Sequence, residues 1–162
     1  ARLCAAMQVE LHLIEPLGFS LEDRYLKRAG LDYWPHVKVS VWPGLEEYLA
    51  GPGRAKRLVA SSGRSGAPVH KFPFSADDAI LLGPETRGLP CEVLEMTPHQ
   101  VRIPIFGKVR SLNMSTAAGI ILVQAMAGSG LLDRLENPLP VTDDGHTETC
   151  AASQPSIAPA RD

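Results

Sequence analysis

The chain has 162 residues, of which 44% are hydrophobic and 21% charged, and its net charge is -2. That length suffices for one domain with a full core, at a composition ordinary for a globular protein. It excludes recognition of nucleic acid by overall charge, so any such partner must be met by a local patch. It also offers no apolar run of the roughly 18 residues that a membrane span needs.

In chain order, residues 1–7 (ARLCAAM) read as a helix already under way. The chain has no initial Met and no signal-peptide pattern. The expectation is that its true N-terminus lies upstream, which leaves a targeting segment open. Residues 9–15 (VELHLIE) alternate as a strand, and Pro16-Leu17-Gly18 breaks it. Ser20 is placed to cap a helix over 21–29, with Glu22 and Asp23 in its first turn, where the helix dipole favours them. Gly30 stops that helix. On it Arg24, Lys27 and Arg28 stand at i, i+3 and i+4 and share one face. Tyr33 and Trp34 follow at once. A strand over 37–42, a short helix over 44–50 and a strand over 57–62 come next, the last opening into the polar loop 61–66 (SSGRSG).

Two further units complete the pattern. The apolar runs 79–82 and 101–105 each end in a loop of glycine, proline and small polar residues, and each loop gives way to a helix pattern. The first loop, residues 83–90 (GPETRGLP), has two glycines able to take positive φ or to admit a ligand against the backbone. The second, residues 106–115 (FGKVRSLNMS), is basic and ends in residues suited to capping a helix. Strands alternating with helices imply an α/β fold, a mainly parallel sheet with helices on both faces. Ligands of such sheets sit at the carboxyl ends of the strands. Past Gly128 the character changes. Residues 132–162 are rich in Pro, Thr, Ser, Asp and Ala, and a segment so poor in large apolar residues does not offset its ordering entropy. The division is therefore a domain over 1–127 and a disordered tail over 128–162.

Common chemistries are missing. There is no G-x-G-x-x-G, no G-x-x-x-x-G-K-[ST] and no G-x-S-x-G. The five histidines show no zinc-ligand spacing, so no metal is expected. Cys4, Cys91 and Cys150 are an odd number without metal-like spacing. They read as thiols in a reducing compartment: the cytoplasm, or an organelle if a targeting segment precedes Ala1. Three loops remain, 61–66, 83–90 and 106–115. On the residues alone, the middle one is also a plain strand-to-helix turn, and Glu85 and Arg87 are placed to pair on the surface with little effect. Ser111, Asn113 and Ser115 suit simple capping. Arg24, Lys27 and Arg28 suit a solvated face or, with Tyr33 and Trp34, a phosphate-and-stacking surface for RNA.

The pair LLGPETRGLP and VRIPI…VRSLNMS resembles the second and third motifs of the SPOUT methyltransferases. Together with ARLCAA, LHLIEPLGF and LKRAGLDYW, residues 1–127 resemble the small bacterial-type tRNA 2′-O-methyltransferases that act on the wobble cytidine or uridine. The resemblance implies a trefoil knot on the C-terminal side, which periodicity alone does not give, since threaded chains are rare. It implies S-adenosylmethionine held by loop backbone. The cofactor contacts would be Ser61, Gly83, the middle-loop run from Glu85 to Gly88 and Leu89, and Ile103, Ser111, Leu112 and Ser115. The reaction would be in-line attack by a ribose 2′-hydroxyl on the sulfonium methyl. The family's arginine at the end of the first motif matches Arg2. A guanidinium stays protonated, so Arg2 is expected to orient the ribose and phosphate and to stabilise the developing alkoxide. Asn113 and Ser115 would help shape that site. Arg24, Lys27 and Arg28 would bind tRNA, and a homodimer would complete the site. The apolar run 117–126 suits burial on more than one side, as it would also suit a core helix.

The chain departs from the pattern in three places. The strand and Asn-containing loop that open the first motif have no counterpart here. Val123 stands where the subfamily often has tyrosine, and Thr116 where many relatives have asparagine. A non-catalytic RNA-binding protein of the same fold is the alternative that Val123, the missing N-terminal segment and the tail allow, Thr116 being able to cap as asparagine does, and an unrelated α/β module for a small metabolite is another. Methyl transfer separates the enzyme from the first, and cofactor binding separates it from the second.

Overall fold

A computed structural model of the chain describes residues 1–18 and 33–134. The helix expected over 21–29, with its basic face, and most of the expected tail lie outside the described residues.

Helix α1 (Arg2–Ala6) opens the fold. It ends with Val9 N–H donating to Cys4 O and Gln8 N–H to Ala5 O. Gln8, at φ 52°, fills the left-handed position that usually takes glycine. The chain then runs straight into β1 (Leu11–Ile14), which pairs in parallel with β2 (Val39–Trp42). Before β2 a single 3₁₀ turn, Trp34–His36, carries proline in its first positions. After β2 comes α2 (Leu45–Ala50). Its Tyr48 is buried beside His12 and Trp42, and Trp42 Nε1–H donates to His12 Nδ1 at 3.1 Å.

The larger ladder holds β3 (Arg57–Ser61), β4 (Ala67–Pro68), β5 (Asp78–Leu81) and β6 (Gln100–Arg102), in the order β4-β6-β3-β5, all parallel. The parallel expectation holds in every described pairing, and the strands form two ladders. The expected strand over 101–105 is shorter at its end. Pro104 has no N–H to give a neighbour and restricts Ile103 before it, so pairing stops at Arg102.

The central strands β3 and β6 carry the fully buried Val59, Ala60 and Val101. Strands covered on both faces read as continuous apolar runs, as LVA in β3 does. Val59 and Val101 pack with Val69, Phe74 and two residues of α4 (Met114–Gly128), Ile121 and Ala125. Helix α4 continues past the sequence boundary at 127 and closes on Gly130, at φ 71°. There Leu131 N–H donates to Met126 O and Gly130 N–H to Ala127 O, the pair of bonds that satisfies the last carbonyls of a helix.

At the amino ends of β3 and β5, Arg57 and Asp78 stand opposite each other in register. Arg57 Nε–H and Nη2–H donate to the two Asp78 oxygens at 2.6 and 2.8 Å, and Nη2–H also reaches Pro73 O at 2.7 Å. The Asp78 side chain is 2% exposed. Its hydrogen bond holds the Arg57 guanidinium above its ordinary pKa, against a smaller opposing effect of burial. This clamp fixes one end of the ladder and leaves the carboxyl ends of the strands to the loops.

Candidate active site

Strands β5, β3 and β6 are adjacent and parallel, so the loops that follow them leave the same edge of the sheet.

The loop after β3 is a serine turn. Ser62 Oγ accepts from Ser65 N–H at 3.1 Å and from Arg64 N–H at 3.3 Å, and shares a 2.9 Å hydrogen bond with Ser65 Oγ. Ser65 Oγ donates to Gln100 Oε1 at 2.7 Å, and Gln100 Nε2–H donates to Leu94 O at 2.9 Å. Leu94 lies in α3 (Cys91–Glu95), which follows the middle loop. One glutamine side chain on β6 therefore ties the first loop to the helix after the second. Gly66, at φ 92°, lies so close to the Gln100 carbonyl that no side chain fits there.

The middle loop closes on itself. Gly88 N–H donates to Pro84 O at 2.8 Å and Arg87 N–H to the same oxygen at 3.3 Å. Gly88 takes φ 72°. A Cβ on Gly83 would strike the backbone of Gly88 and Leu89, which cannot yield, so close approach demands glycine here.

The third loop ends in a cap. Asn113 Oδ1 accepts from Ser115 N–H at 2.9 Å and Thr116 N–H at 3.4 Å, satisfying two of the free donors of α4. Ser115 Oγ–H donates to the same oxygen at 2.5 Å. The other end of the amide, Nδ2–H, donates to Glu85 Oε1 at 3.1 Å. The surface pairing of Glu85 with Arg87 is thus replaced. The described partner of Glu85 is Asn113, because the turn brings the carboxylate against the capping amide.

Among the expected site residues, Glu85, Asn113 and Ser115 are brought into one hydrogen-bonded cluster. Gly83, Gly88 and Leu89 meet at the closure of the middle loop. Ser61 ends β3, Ile103 directly follows β6, and Ser111 and Leu112 lead into the cap of α4. Arg2 sits at the start of α1, its guanidinium 4.6 Å from the centroid of the Tyr33 ring. Among the described residues no hydrogen bond joins it to the Glu85 cluster. Arg24, Lys27 and Arg28 lie outside the described residues. Two groups were not singled out from the sequence: Gln100, which carries no local signal, and the Ser62–Ser65 pair, whose spacing is that of a serine turn.

The SpoU rRNA Methylase family profile matches residues 1–123. The chain belongs to that family. A tRNA (cytidine(34)-2′-O)-methyltransferase of Aeromonas hydrophila is 38% identical over 138 residues, covering 83% of this chain and 87% of the relative. A solved structure described as giving structural insights into the 2-OH methylation of C/U34 on tRNA is 44% identical, with a TM-score of 0.73 over 79% of this chain and 84% of the other. At the level of fold alone, the SpoU methyltransferase AviRb of Streptomyces viridochromogenes, solved in complex with the cofactor AdoMet, gives a TM-score of 0.64 at 23% identity, over 78% of this chain and 52% of that one. The parallel ladder, the closed middle loop and the capped α4 are thus the parts of a SpoU methyltransferase. Among the described residues no cluster of His, Cys, Asp or Glu suits a metal ion, and no helix is long and apolar enough to cross a membrane.

Proposed function

We propose that this SpoU protein methylates the ribose 2′-hydroxyl of tRNA at the wobble cytidine or uridine, using S-adenosylmethionine. The observation that carries the reading is the Asn113–Glu85 hydrogen bond, which joins two polar loops at the carboxyl edge of the sheet. The naming of relatives that cover four-fifths of the chain supports the choice of substrate.

The residues present suit the cofactor. A closed glycine turn next to a serine- and asparagine-lined loop offers backbone and small polar groups without bulk, the kind of surface that grips an adenosine by its edges. Ser61, Gly83, Glu85, Gly88 and Leu89, with Ile103, Ser111, Leu112 and Ser115, would hold it. Bound there, the sulfonium supplies an electrophilic methyl group. Arg2 orients the ribose and its phosphate through N–H donors and stabilises negative charge as the hydroxyl loses its proton. Asn113 and Ser115 would shape the site from the end of the third loop.

The tRNA is held by charge. Each of the three loops exposes cations: Arg64 in the first, Arg87 in the second, Lys108 and Arg110 in the third. Basic side chains on exposed polar loops suit contact with phosphates, which supply most of the affinity for nucleic acid. Arg24, Lys27 and Arg28, outside the described residues, would add to the cations that bind tRNA.

Strand order supports the trefoil knot. The 62–66 segment joins β3 to β4, and β6 lies between these two strands, so the later chain occupies the space that the earlier connection spans. A homodimer is supported by α4. It buries Ile121, Ala125 and Met126, yet leaves Ile120 and Val123 each 37% exposed on its other side.

The test is incubation with methyl-labelled S-adenosylmethionine and total tRNA, followed by digestion to nucleosides. Label in 2′-O-methylcytidine or 2′-O-methyluridine is expected. Label in a base, or cofactor binding without transfer, would reject the reading.

A further inference from the structure

We infer that Tyr33 is a positioning residue for Arg2: its ring is the platform that holds the guanidinium flat and aims its N–H edges at the substrate. This rests on the role given to Arg2 in the proposed function.

The guanidinium carbon of Arg2 lies 4.6 Å from the Tyr33 ring centroid, within the distance at which a cation is attracted by the face of an aromatic ring. The geometry matters more than the attraction. A guanidinium carries its donors in its plane, so stacking occupies the face and leaves the N–H edges available to phosphate and ribose oxygens. A salt bridge to a carboxylate would instead consume those donors and cancel the charge.

Both partners are set on fixed backbone. Arg2 is the first residue of α1, whose far end is fastened by the Val9–Cys4 and Gln8–Ala5 hydrogen bonds. Tyr33 caps the 3₁₀ turn over Trp34–His36, where His36 N–H donates to Tyr33 O at 3.0 Å and Val37 N–H to Trp34 O at 3.1 Å. Pro35 restricts that turn further. An arginine side chain on its own loses much rotamer freedom when it engages a substrate. Stacking on a fixed ring removes that freedom beforehand, so the loss is not taken in the transition state. Tyr33 is half-buried, and the face that Arg2 covers is not open to a stacked base.

The test is steady-state kinetics of the full chain for Arg2→Ala, Tyr33→Leu, Tyr33→Gln, Tyr33→Phe and the Arg2→Ala/Tyr33→Leu double variant, each first checked by thermal melting. Loss of the ring should lower kcat about three- to thirtyfold and leave KM for S-adenosylmethionine in place. Tyr33→Phe, which keeps the ring, should recover most of that loss. The double variant should be no slower than Arg2→Ala alone, because the platform acts only through its arginine. Tyr33→Gln stands in if Tyr33→Leu fails to fold. An increase in KM for tRNA at unchanged kcat would make Tyr33 a stacking surface for RNA and overturn the inference. So would additive losses in the double variant. If Arg2→Ala abolishes turnover while both ring-less variants keep wild-type kcat, only the inference falls. If Arg2→Ala is itself fully active, the role of Arg2 falls with it.

Discussion

Asn113 and Glu85, 28 residues apart in sequence, are joined by a 3.1 Å hydrogen bond from the amide of one to the carboxylate of the other. The same amide caps α4 through its oxygen. One side chain therefore sets both the start of the core helix and the position of the middle loop, so helix stability and loop geometry are coupled at a single residue.

That double duty can be separated by substitution. Asn113→Ala removes cap and bridge together, and should cost about 1 kcal/mol of stability as well as cofactor affinity. Asn113→Asp keeps the capping oxygen and adds a charge that the helix start favours, but it sets one carboxylate against another. Its melting temperature should stay near the wild-type value while affinity for S-adenosylmethionine drops about three- to tenfold. Calorimetric titration beside thermal melting checks this. Equal affinity in wild type and Asn113→Asp would show that the bridge does not shape the site.

The Arg57–Asp78 clamp makes a prediction about stability alone. Arg57→Leu strands a carboxylate whose side chain is 2% exposed, with only Ser75 N–H still donating to it among the described residues. The expected loss is about 2–3 kcal/mol, below that of a fully buried pair because the arginine is partly in water. Denaturant titration would measure it, with the unfolding midpoint moving and the slope constant. A midpoint unchanged in Arg57→Leu would refute the clamp.

Tyr48 gives the pH dependence. Burial, and secondarily Glu10, raise its pKa above the ordinary 10.0. The folded state then holds a proton that the unfolded chain releases. The stability so gained is complete below pH 10.0 and is lost as pH rises from there through the folded-state value. Tyr48→Phe cannot titrate. Its stability curve should follow the wild type up to about pH 9 and decline less steeply beyond. Melting curves from pH 7 to 11 compare the two, and parallel alkaline declines would place the sensitivity elsewhere.

The exposed cations of the third loop bear on the substrate. Lys108→Glu with Arg110→Glu should weaken tRNA binding and flatten its salt dependence by about 1 to 2 in the slope of log K against log salt. S-adenosylmethionine affinity should change little. A reduced affinity with an unaltered slope would mean that these side chains do not meet phosphates.

Much of the fold was legible because local patterns carried it. The alternation of VELHLIE marked β1, the apolar run within 57–62 marked β3, and the small polar residues at the end of the third loop marked the start of α4 by their capping chemistry. Strand ends were less legible at 101–105, where the apolar run continued but Pro104 stopped the pairing. The loops of the site could be named from their glycines and small polar residues. What joins them could not, because a hydrogen bond across 28 residues has no local signature. The nearest charge to Glu85 in sequence, Arg87, was a reasonable partner only until the turn was known. Gln100 escaped notice for the same reason, and Tyr33, legible as an aromatic beside a basic segment, acquires its partner only when α1 and the 3₁₀ turn are packed together.

The central claim is that a ribose hydroxyl at the wobble position receives the methyl group. The most direct test uses two otherwise identical tRNAs, one with ribose and one with 2′-deoxyribose at the wobble nucleotide, and counts label transferred from S-adenosylmethionine. Transfer to the ribose substrate, and none to the deoxy substrate at equal binding, is the predicted result. Undiminished transfer to the deoxy substrate would contradict the account, since the methyl group would then be going to another atom.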